Sequence, residues 1–296
     1  MKFSIIIPTY NREIDLNKCL NSILLQTILP TEIIIIDDGE LPIGFIKDWN
    51  YKIFKRKINF KYYKKNHEIE RRGLSESKNK ALELVSSDIF FILDDDVVLE
   101  ADFCSFIIEI WRKKADDNNL IGVGGIIKNR RKRYFVEKYF NNLFGINSKY
   151  SWDVNRVGFQ IWDEEIKEPS LGYYAHGGVC SYRLEKVKEL RFSVFSGGRT
   201  ALEDVDFCLR AKNKGYHFII EPEAQLYHYP SSITRESQFL MGYKESINRR
   251  IIFKNFNKNP TIFLWTWFYW ANLGWILRQF LIGNFRKGKG MFKSLI

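Results

Sequence analysis

Three adjacent carboxylates, Asp94-Asp95-Asp96, directly follow the apolar run Ile89–Leu93. Like charges at the end of a buried strand repel one another, and burying them is costly unless a cation offsets the cost. A hard divalent ion such as Mg2+ or Mn2+ would do so, with phosphate oxygens completing its shell. An acidic turn at a strand end has the same composition, so the triplet alone leaves both readings open. A second acidic pair, Glu203-Asp204, precedes the helical stretch Val205–Arg210. Carboxylates at a helix start are favoured by the dipole, and the same placement at a cleft rim suits a general base. His228, in Tyr227-His228-Tyr229, is a candidate metal ligand only because an acidic metal site is already in view. Pro8-Thr9-Tyr10-Asn11 and Asp37-Asp38-Gly39 each end a strand-like run. There an Asp can accept from the ring N–H of uracil and a Tyr can stack on a base, although ordinary strand-to-loop polar residues look the same.

These groups need a scaffold that gathers strand ends. Phe3–Pro8 reads as a strand, and residues 12–26 as a helix with Asn11 as N-cap and Leu16, Leu20, Ile23 and Leu24 on one face. Glu32–Ile36 is a β-branched run, as expected of a parallel strand buried on both faces. Phe60–Tyr63, a helix over Ser75–Val85 and the strand Ile89–Leu93 continue the alternation. Such alternation predicts an α/β doubly wound, mostly parallel sheet with its ligand at the carboxyl ends of the strands. Residues 125–175 have no clear period beyond the basic run Lys128–Arg133 and the aromatics Phe135, Tyr139, Phe140 and Phe144. Regular structure resumes at His176–Tyr182. A helix over Asp204–Lys214, which Gly215 ends, two short strands at His217–Ile220 and Gln225–Tyr229, and two or three final helices complete the reading.

In this order the pieces resemble a family 2 glycosyltransferase of the GT-A fold. SIIIPTYNR resembles that family's opening strand and IIIIDDGE its second, with Glu40 where Ser is usual. GLSESKNKALELVSSDIFFILDDDVVL resembles the segment ending in the DxD metal motif. ALEDVDFCLRAKNKGY resembles the catalytic acidic-pair helix and YHYP the terminal histidine strand. The resemblance covers roughly residues 2–230. It implies that Pro8, Thr9, Tyr10, Asn11, Asp37 and Asp38 hold the donor's base and ribose. Lys78 and Asn79 stand where Arg-Asn often lies near the diphosphate, and Lys for Arg replaces a bidentate fork with a point charge. Asp94 and Asp96 would form the DxD, with Asp96 the direct ligand, Asp94 and Asp95 near the donor, and His228 a secondary metal ligand. Asp204 would be the catalytic base with Glu203 as its neighbour, and Gly177-Gly178 resembles the small-residue turn beside the acceptor. The implied reaction is inverting transfer from a nucleotide sugar, UDP-linked by default, with Mn2+ or Mg2+ as cofactor. The acceptor is expected to be a hydroxyl on a lipid-linked or growing surface glycan.

The charge of +11 is unevenly placed. From Arg235 to Ile296 eleven Lys/Arg stand against two Asp/Glu, whereas the preceding residues carry 35 and 33. The expected organisation is therefore a catalytic unit over 1–234 and a basic helical appendage over 235–296. Within the latter, Thr261–Leu277 is free of formal charge and holds Trp265, Trp267, Trp270 and Trp275. As a helix it would reach only ~26 Å at ~1.5 Å per residue, short of a ~30 Å hydrocarbon core. Tryptophan favours the headgroup boundary, so a monotopic or shallowly inserted helix pair on an anionic membrane surface is expected. Burial against the catalytic unit or in a homodimer is the alternative. Four scattered cysteines without a CxxC pair and an apolar run of only Ile5–Ile7 at the N-terminus suggest a reducing compartment and no signal-peptide core. The expected location is the cytoplasmic side of a membrane.

Rival functions are transfer to polyprenyl phosphate, which needs no strong base, and a non-catalytic sugar-nucleotide-binding scaffold. A nucleic-acid binder would explain the basic end but not the acidic cleft, so nucleic acid is not an expected partner. A sugar-phosphate nucleotidyltransferase is disfavoured by the lack of a Gly-rich phosphate loop at the N-terminus.

Overall fold

The structure, a computed structural model, describes residues 1–130, 135–163, 165–195, 201–231 and 236–295, with backbone alone at 135 and 136. The expected boundary at 234/235 and the end of the Lys128–Arg133 run lie outside the described residues. In chain order the elements are β1 (Phe3–Thr9), α1 (Glu13–Leu24), β2 (Glu32–Asp37), α2 (Ile43–Lys55), β3 (Asn59–Lys64), α3 (Leu74–Leu84), β4 (Ile89–Leu93) and β5 (Val97–Leu99). There follow α4 (Phe103–Lys113), β6 (Leu120–Ile127), α5 (Phe135–Leu143), β7 (Asp153–Val154), β8 (Gln160–Ile161), β9 (Ser170–Gly172), β10 (Val179–Arg183) and α6 (Leu184–Leu190). The chain closes with α7 (Glu203–Asn213), β11 (His217–His228), α8 (Gln238–Phe256), α9 (Ile262–Leu281) and α10 (Phe285–Leu295).

The central sheet runs β3-β2-β1-β4-β10-β6-β11-β5, with β9 on β11. Parallel pairing joins β3, β2, β1 and β4, and again β6 and β11, while β10 is inserted antiparallel between the two groups. The pleat explains why the strands are apolar throughout. Ile5, Ile7, Ile33, Ile35, Phe91 and Leu93 enter one core with α1, α2 and α4. Their alternate neighbours Ile6, Ile34, Ile36, Phe90 and Ile92 enter the other core with α3 and α7. Both faces are covered, and the polar residues are left at one edge, where β1, β2, β4, β6 and β11 all end.

Several expectations are corrected. Asn11 is not an N-cap. The residue at the cap of α1 is Arg12, which makes no side-chain cap bond, while Asn11 has a left-handed φ of 53° and its Oδ1 accepts from Glu40 N at 2.7 Å. The two strands expected over 217–229 are one, β11, with a register irregularity between Ile220 and Gln225. The aperiodic middle contains α5 and the small β7–β8 hairpin.

Among the described residues no helix is long and apolar enough to cross a membrane. α9 divides its apolar residues between two sides. Leu264, Phe268 and Ala271 join Phe144, Ile146, Val157, Phe159 and Phe253 in a third core. Ile262, Phe263, Trp270, Leu273, Leu277 and Leu281 remain exposed. The final helices are pinned by a half-buried carboxylate: Glu245 accepts from Arg249 at 3.0 Å and Trp275 at 2.9 Å, and pairs with Lys287 at 2.8 Å. Burial opposes that carboxylate's ionisation, but Lys287 and Arg249 outweigh it and lower its pKa.

Candidate active site

The acidic triplet leaves β4 in two directions. Asp95 turns back under β1, accepting from Thr9 Oγ1 at 2.8 Å and from Arg12 at 2.9 Å. Burial pushes its pKa up to about 6 despite those two donors. Asp94 and Asp96 turn instead toward the end of β11, where His228 Nε2 lies 3.0 Å from Asp96 Oδ1. Ligand atoms of Asp94, Asp96 and His228 all lie within 4.8 Å of one another. An ion with ~2.1 Å bonds nearly spans that gap, and two carboxylates with one imidazole form a donor set that could hold a divalent metal ion. Burial, then the neighbouring Asp96, raises the pKa of Asp94. Asp96 is further held by the backbone N–H of Ser231 at 3.0 Å.

The second acidic pair opens α7. Leu202, immediately before it, takes a left-handed φ of 69°, a strained position for a branched side chain. Glu203 then meets Lys78 Nζ at 3.1 Å, and Asp204 accepts from Tyr174 Oη at 3.0 Å and from Val205 N at 2.8 Å. Burial and the Glu203 charge push Asp204 up to about 6, with Lys78 and Tyr174 opposing. Lys78, 1% exposed, also reaches Gly177 O at 3.4 Å. Burial would favour the neutral amine, but Glu203, Asp94 and Asp204 outweigh it and raise its pKa.

The glycine pair is the spacer between the two acidic centres. A Cβ on Gly178 would collide with the Asp94 carboxylate, and one on Gly177 would come 3.0 Å from Asp204 Cβ and 3.1 Å from Lys78 Nζ. Gly178→Ala should therefore displace Asp94 and lower divalent-metal affinity by at least about tenfold, a loss of ~1.4 kcal/mol, with the fold intact. Metal titration alongside a circular dichroism melt checks this; unchanged affinity would mean that Asp94 is not held in place by that contact.

Of the residues singled out in the sequence, Asp94, Asp96, His228, Lys78, Glu203, Asp204, Gly177 and Gly178 meet at this edge. Asp37 is occupied locally, accepting from Gly39 N, Leu41 N and Tyr62 Oη. Asp38 pairs with Lys65 at 2.6 Å and accepts from Gly73 N at 2.8 Å. The Tyr10 hydroxyl accepts from Arg72 at 3.1 Å, so it stays at the rim beside Pro8 and Asn11. Asn79 faces elsewhere: its amide both donates to and accepts from the backbone of Phe192. Sequence reading missed Arg12, Tyr174, His176 and Arg130. Arg12 follows the opening motif directly, but its reach to Asp95 exists only once β1 and β4 pair. Tyr174 and His176 had no spacing signal at all.

Residues 4–167, over half of the chain, match the family described as glycosyl transferase family 2. The chain belongs to glycosyl transferase family 2. Other family relatives fit the same picture. The chain is 32% identical over 206 residues, 62% of this chain and 65% of the other, to the GalNAc(5)-diNAcBac-PP-undecaprenol beta-1,3-glucosyltransferase of Campylobacter jejuni. It is 27% identical over 147 residues, 47% of this chain and 44% of the other, to the glucosyl-dolichyl phosphate glucuronosyltransferase of Haloferax volcanii. The chain spans less than half the length of the first curated relatives it matches. In three dimensions it is similar to a mannosyltransferase from Pyrobaculum calidifontis solved with GDP-Man and Mn2+. That likeness has a TM-score of 0.59 at 15% identity and covers 99% of this chain and 79% of the other, which establishes the shared GT-A fold. The matched residues include the acidic triplet, whereas the acidic-pair helix and the end of β11 lie beyond them.

Proposed function

We propose that this protein is an inverting glycosyltransferase that moves a sugar from a nucleotide-sugar donor to a hydroxyl of a lipid-linked or growing surface glycan. The observation that carries the reading is the pairing of two acidic centres across Lys78 and Gly177-Gly178. One centre, Asp94–Asp96–His228, is a ligand set. The other presents a half-buried carboxylate whose pKa of about 6 suits a base working near neutral pH.

A divalent ion on Asp94, Asp96 and His228 would offset charge on the departing diphosphate. Lys78 keeps three carboxylates from repelling one another and brings a fixed cation between the centres. Asp204 takes the proton of the attacking hydroxyl, and attack from its side, opposite the leaving group, inverts the anomeric carbon. Tyr10 and Asp38 are assigned to the donor's base and ribose, with Thr9 and Asp37, engaged by Asp95 and by Gly39 N, Leu41 N and Tyr62, shaping the wall behind them. UDP remains the default base on family resemblance, and the lipid-linked acceptor draws on what the Campylobacter and Haloferax relatives act on. The test is a panel of nucleotide sugars scored for metal-dependent donor hydrolysis. One donor is expected to turn over with Mn2+ or Mg2+ and none in chelator. Hydrolysis of none, or equal hydrolysis in chelator, would sink the reading.

We also assign residues 1–234 to catalysis and 235–296 to attachment on the cytoplasmic face of a membrane. The exposed side of α9, with Phe285 and Phe292 of α10, is apolar and is bordered by Arg286, Lys289 and Lys293. Burying aromatic surface gains ~25 cal/mol per Å2, and each basic side chain near an anionic leaflet adds up to ~1 kcal/mol. Ile262 and Phe263 are 87% and 75% exposed, so Ile262→Glu with Phe263→Glu should leave the fold unchanged. The intact protein is expected to sediment with anionic vesicles at low salt and the double variant to stay in the supernatant. If the unaltered protein does not sediment, that face covers another protein surface instead.

A further inference from the structure

A separate cavity of about 1000 Å3 opens between the end of β6, α5 and residues 146–151, 161–163, 165 and 167. Lys128, Arg130, Lys138, Lys149 and Lys167 line it against Asp163 and Glu165, so among the described residues its wall is net positive. A space of that size admits a sugar phosphate.

Arg130 ties this cavity to the base. Its guanidinium lies over Trp162, 4.6 Å from the ring centre, and donates to His176 Nε2. His176 Nδ1 is 3.1 Å from Tyr174 Oη, and Tyr174 is 3.0 Å from Asp204 Oδ2. Arginine can only donate and an ionised carboxylate can only accept, so all three bonds are satisfied in one direction. Arg130 donates to His176, His176 Nδ1–H to Tyr174, and Tyr174 to Asp204. An anion held at Arg130 is thus three hydrogen bonds from the group that takes the proton.

The opposite wall of the cavity is amphipathic. Lys138, Asn141 and Asn142 of α5 line it, while Tyr139 and Leu143 of the same helix are exposed. Leu143 O accepts from Trp270 Nε1 at 2.9 Å, which joins that outer face of α5 to the apolar side of α9. Asn141 Oδ1 is buried with no hydrogen-bond partner in the wall of the cavity.

We infer that the cavity seats the head of the acceptor, a phosphate or diphosphate carrying its first sugar, with Lys138, Lys149 and Arg130 facing the anion and an apolar tail crossing α5 onto α9. This rests on the transferase reading and names the acceptor's chemistry: an anionic amphiphile, not a neutral glycan.

The test uses the full chain in chelator without donor, and calorimetric titration with farnesyl diphosphate, farnesol and inorganic pyrophosphate. Farnesyl diphosphate is expected to bind at least tenfold more tightly than either other probe. Lys138→Gln with Lys149→Gln, both exposed side chains, should weaken it at least tenfold, while the exposed Lys18→Gln on α1 should not. UDP should not displace it. Unchanged affinity in the double variant, displacement by UDP, or equal binding of farnesol would overturn the inference. Equal binding of pyrophosphate would overturn the lipid source and leave a free-phosphate site. Donor hydrolysis is read separately on the same protein with the chelator removed and Mn2+ and donor added. Its absence with the probe bound would sink the transferase proposal, whereas hydrolysis without cavity-dependent binding would sink this inference alone.

Discussion

Asp204→Asn is expected to lower the rate of sugar transfer by about 10²- to 10⁴-fold while donor affinity changes little. The amide keeps the shape and can still accept from Tyr174, but it cannot take a proton. Only the ionised carboxylate acts as the base, and burial with the Glu203 charge sets its pKa at about 6. The wild-type kcat/KM should therefore rise with pH through about 6 and level off above it. In the variant that inflection should vanish. A variant with full turnover would point to Glu203, or to an acceptor that is already an anion, as in transfer to a polyprenyl phosphate. A product that keeps the donor's anomeric configuration would contradict in-line attack from the Asp204 side.

Asp96→Ala should abolish metal-dependent donor hydrolysis. Outer-sphere partners of a metal typically matter by about 10- to 100-fold, and loss of a direct ligand is expected to weaken Mn2+ binding by at least about 100-fold. The substitution also removes the partner of His228, of Ser231 N and of one contact from Arg12. Arg12 retains Asp95 at 2.9 Å and the parallel ladder of β1 and β4 is untouched, so the protein should remain folded. Mn2+ titration of the folded variant checks the prediction. Full hydrolysis in excess chelator, by either protein, would remove the ion from the scheme.

The strands of the first half could be read from sequence because they are buried on both faces. Ile33–Ile36 and Ile89–Leu93 need no knowledge of their neighbours to look like core. The acidic residues were legible for a related reason: a carboxylate directly after such a run must lie at a sheet edge. What escaped was set by partners distant in the chain. Asn11 looked like a helix cap, but its amide is engaged by Glu40 across a loop. α4, with Phe103, Ile107 and Trp111 on its buried side, went unread although its periodicity is plain once β5 is placed before it. Tyr174 and His176 sit in an aperiodic stretch, and only the return of β10 between β4 and β6 carries them under the acidic-pair helix. The run Thr261–Leu277 was read as membrane-seeking or buried, and the structure divides it, Phe268 inward and Phe263 outward.

Two missing side chains near the C-terminus have a wider effect. Gly242 of α8 and Gly290 of α10 let these helices meet backbone to backbone: a Cβ on the first would strike the carbonyl of Lys287, and one on the second that of Phe239. Glycine costs a helix about 1 kcal/mol relative to alanine, so α10, with Gly288 and Gly290, is a poor helix by itself and holds its shape by lying flush on α8. α10 carries Phe285 and Phe292, and α8 is anchored to the catalytic body through Asn248 and Arg249. On the attachment reading, the thickness of two methyl groups fixes the height and tilt at which the reacting edge stands over a bilayer. Alanine at either glycine would then act as a shim. It would leave every reacting group in place and still misalign the cleft with a substrate whose own depth is set by the lipid.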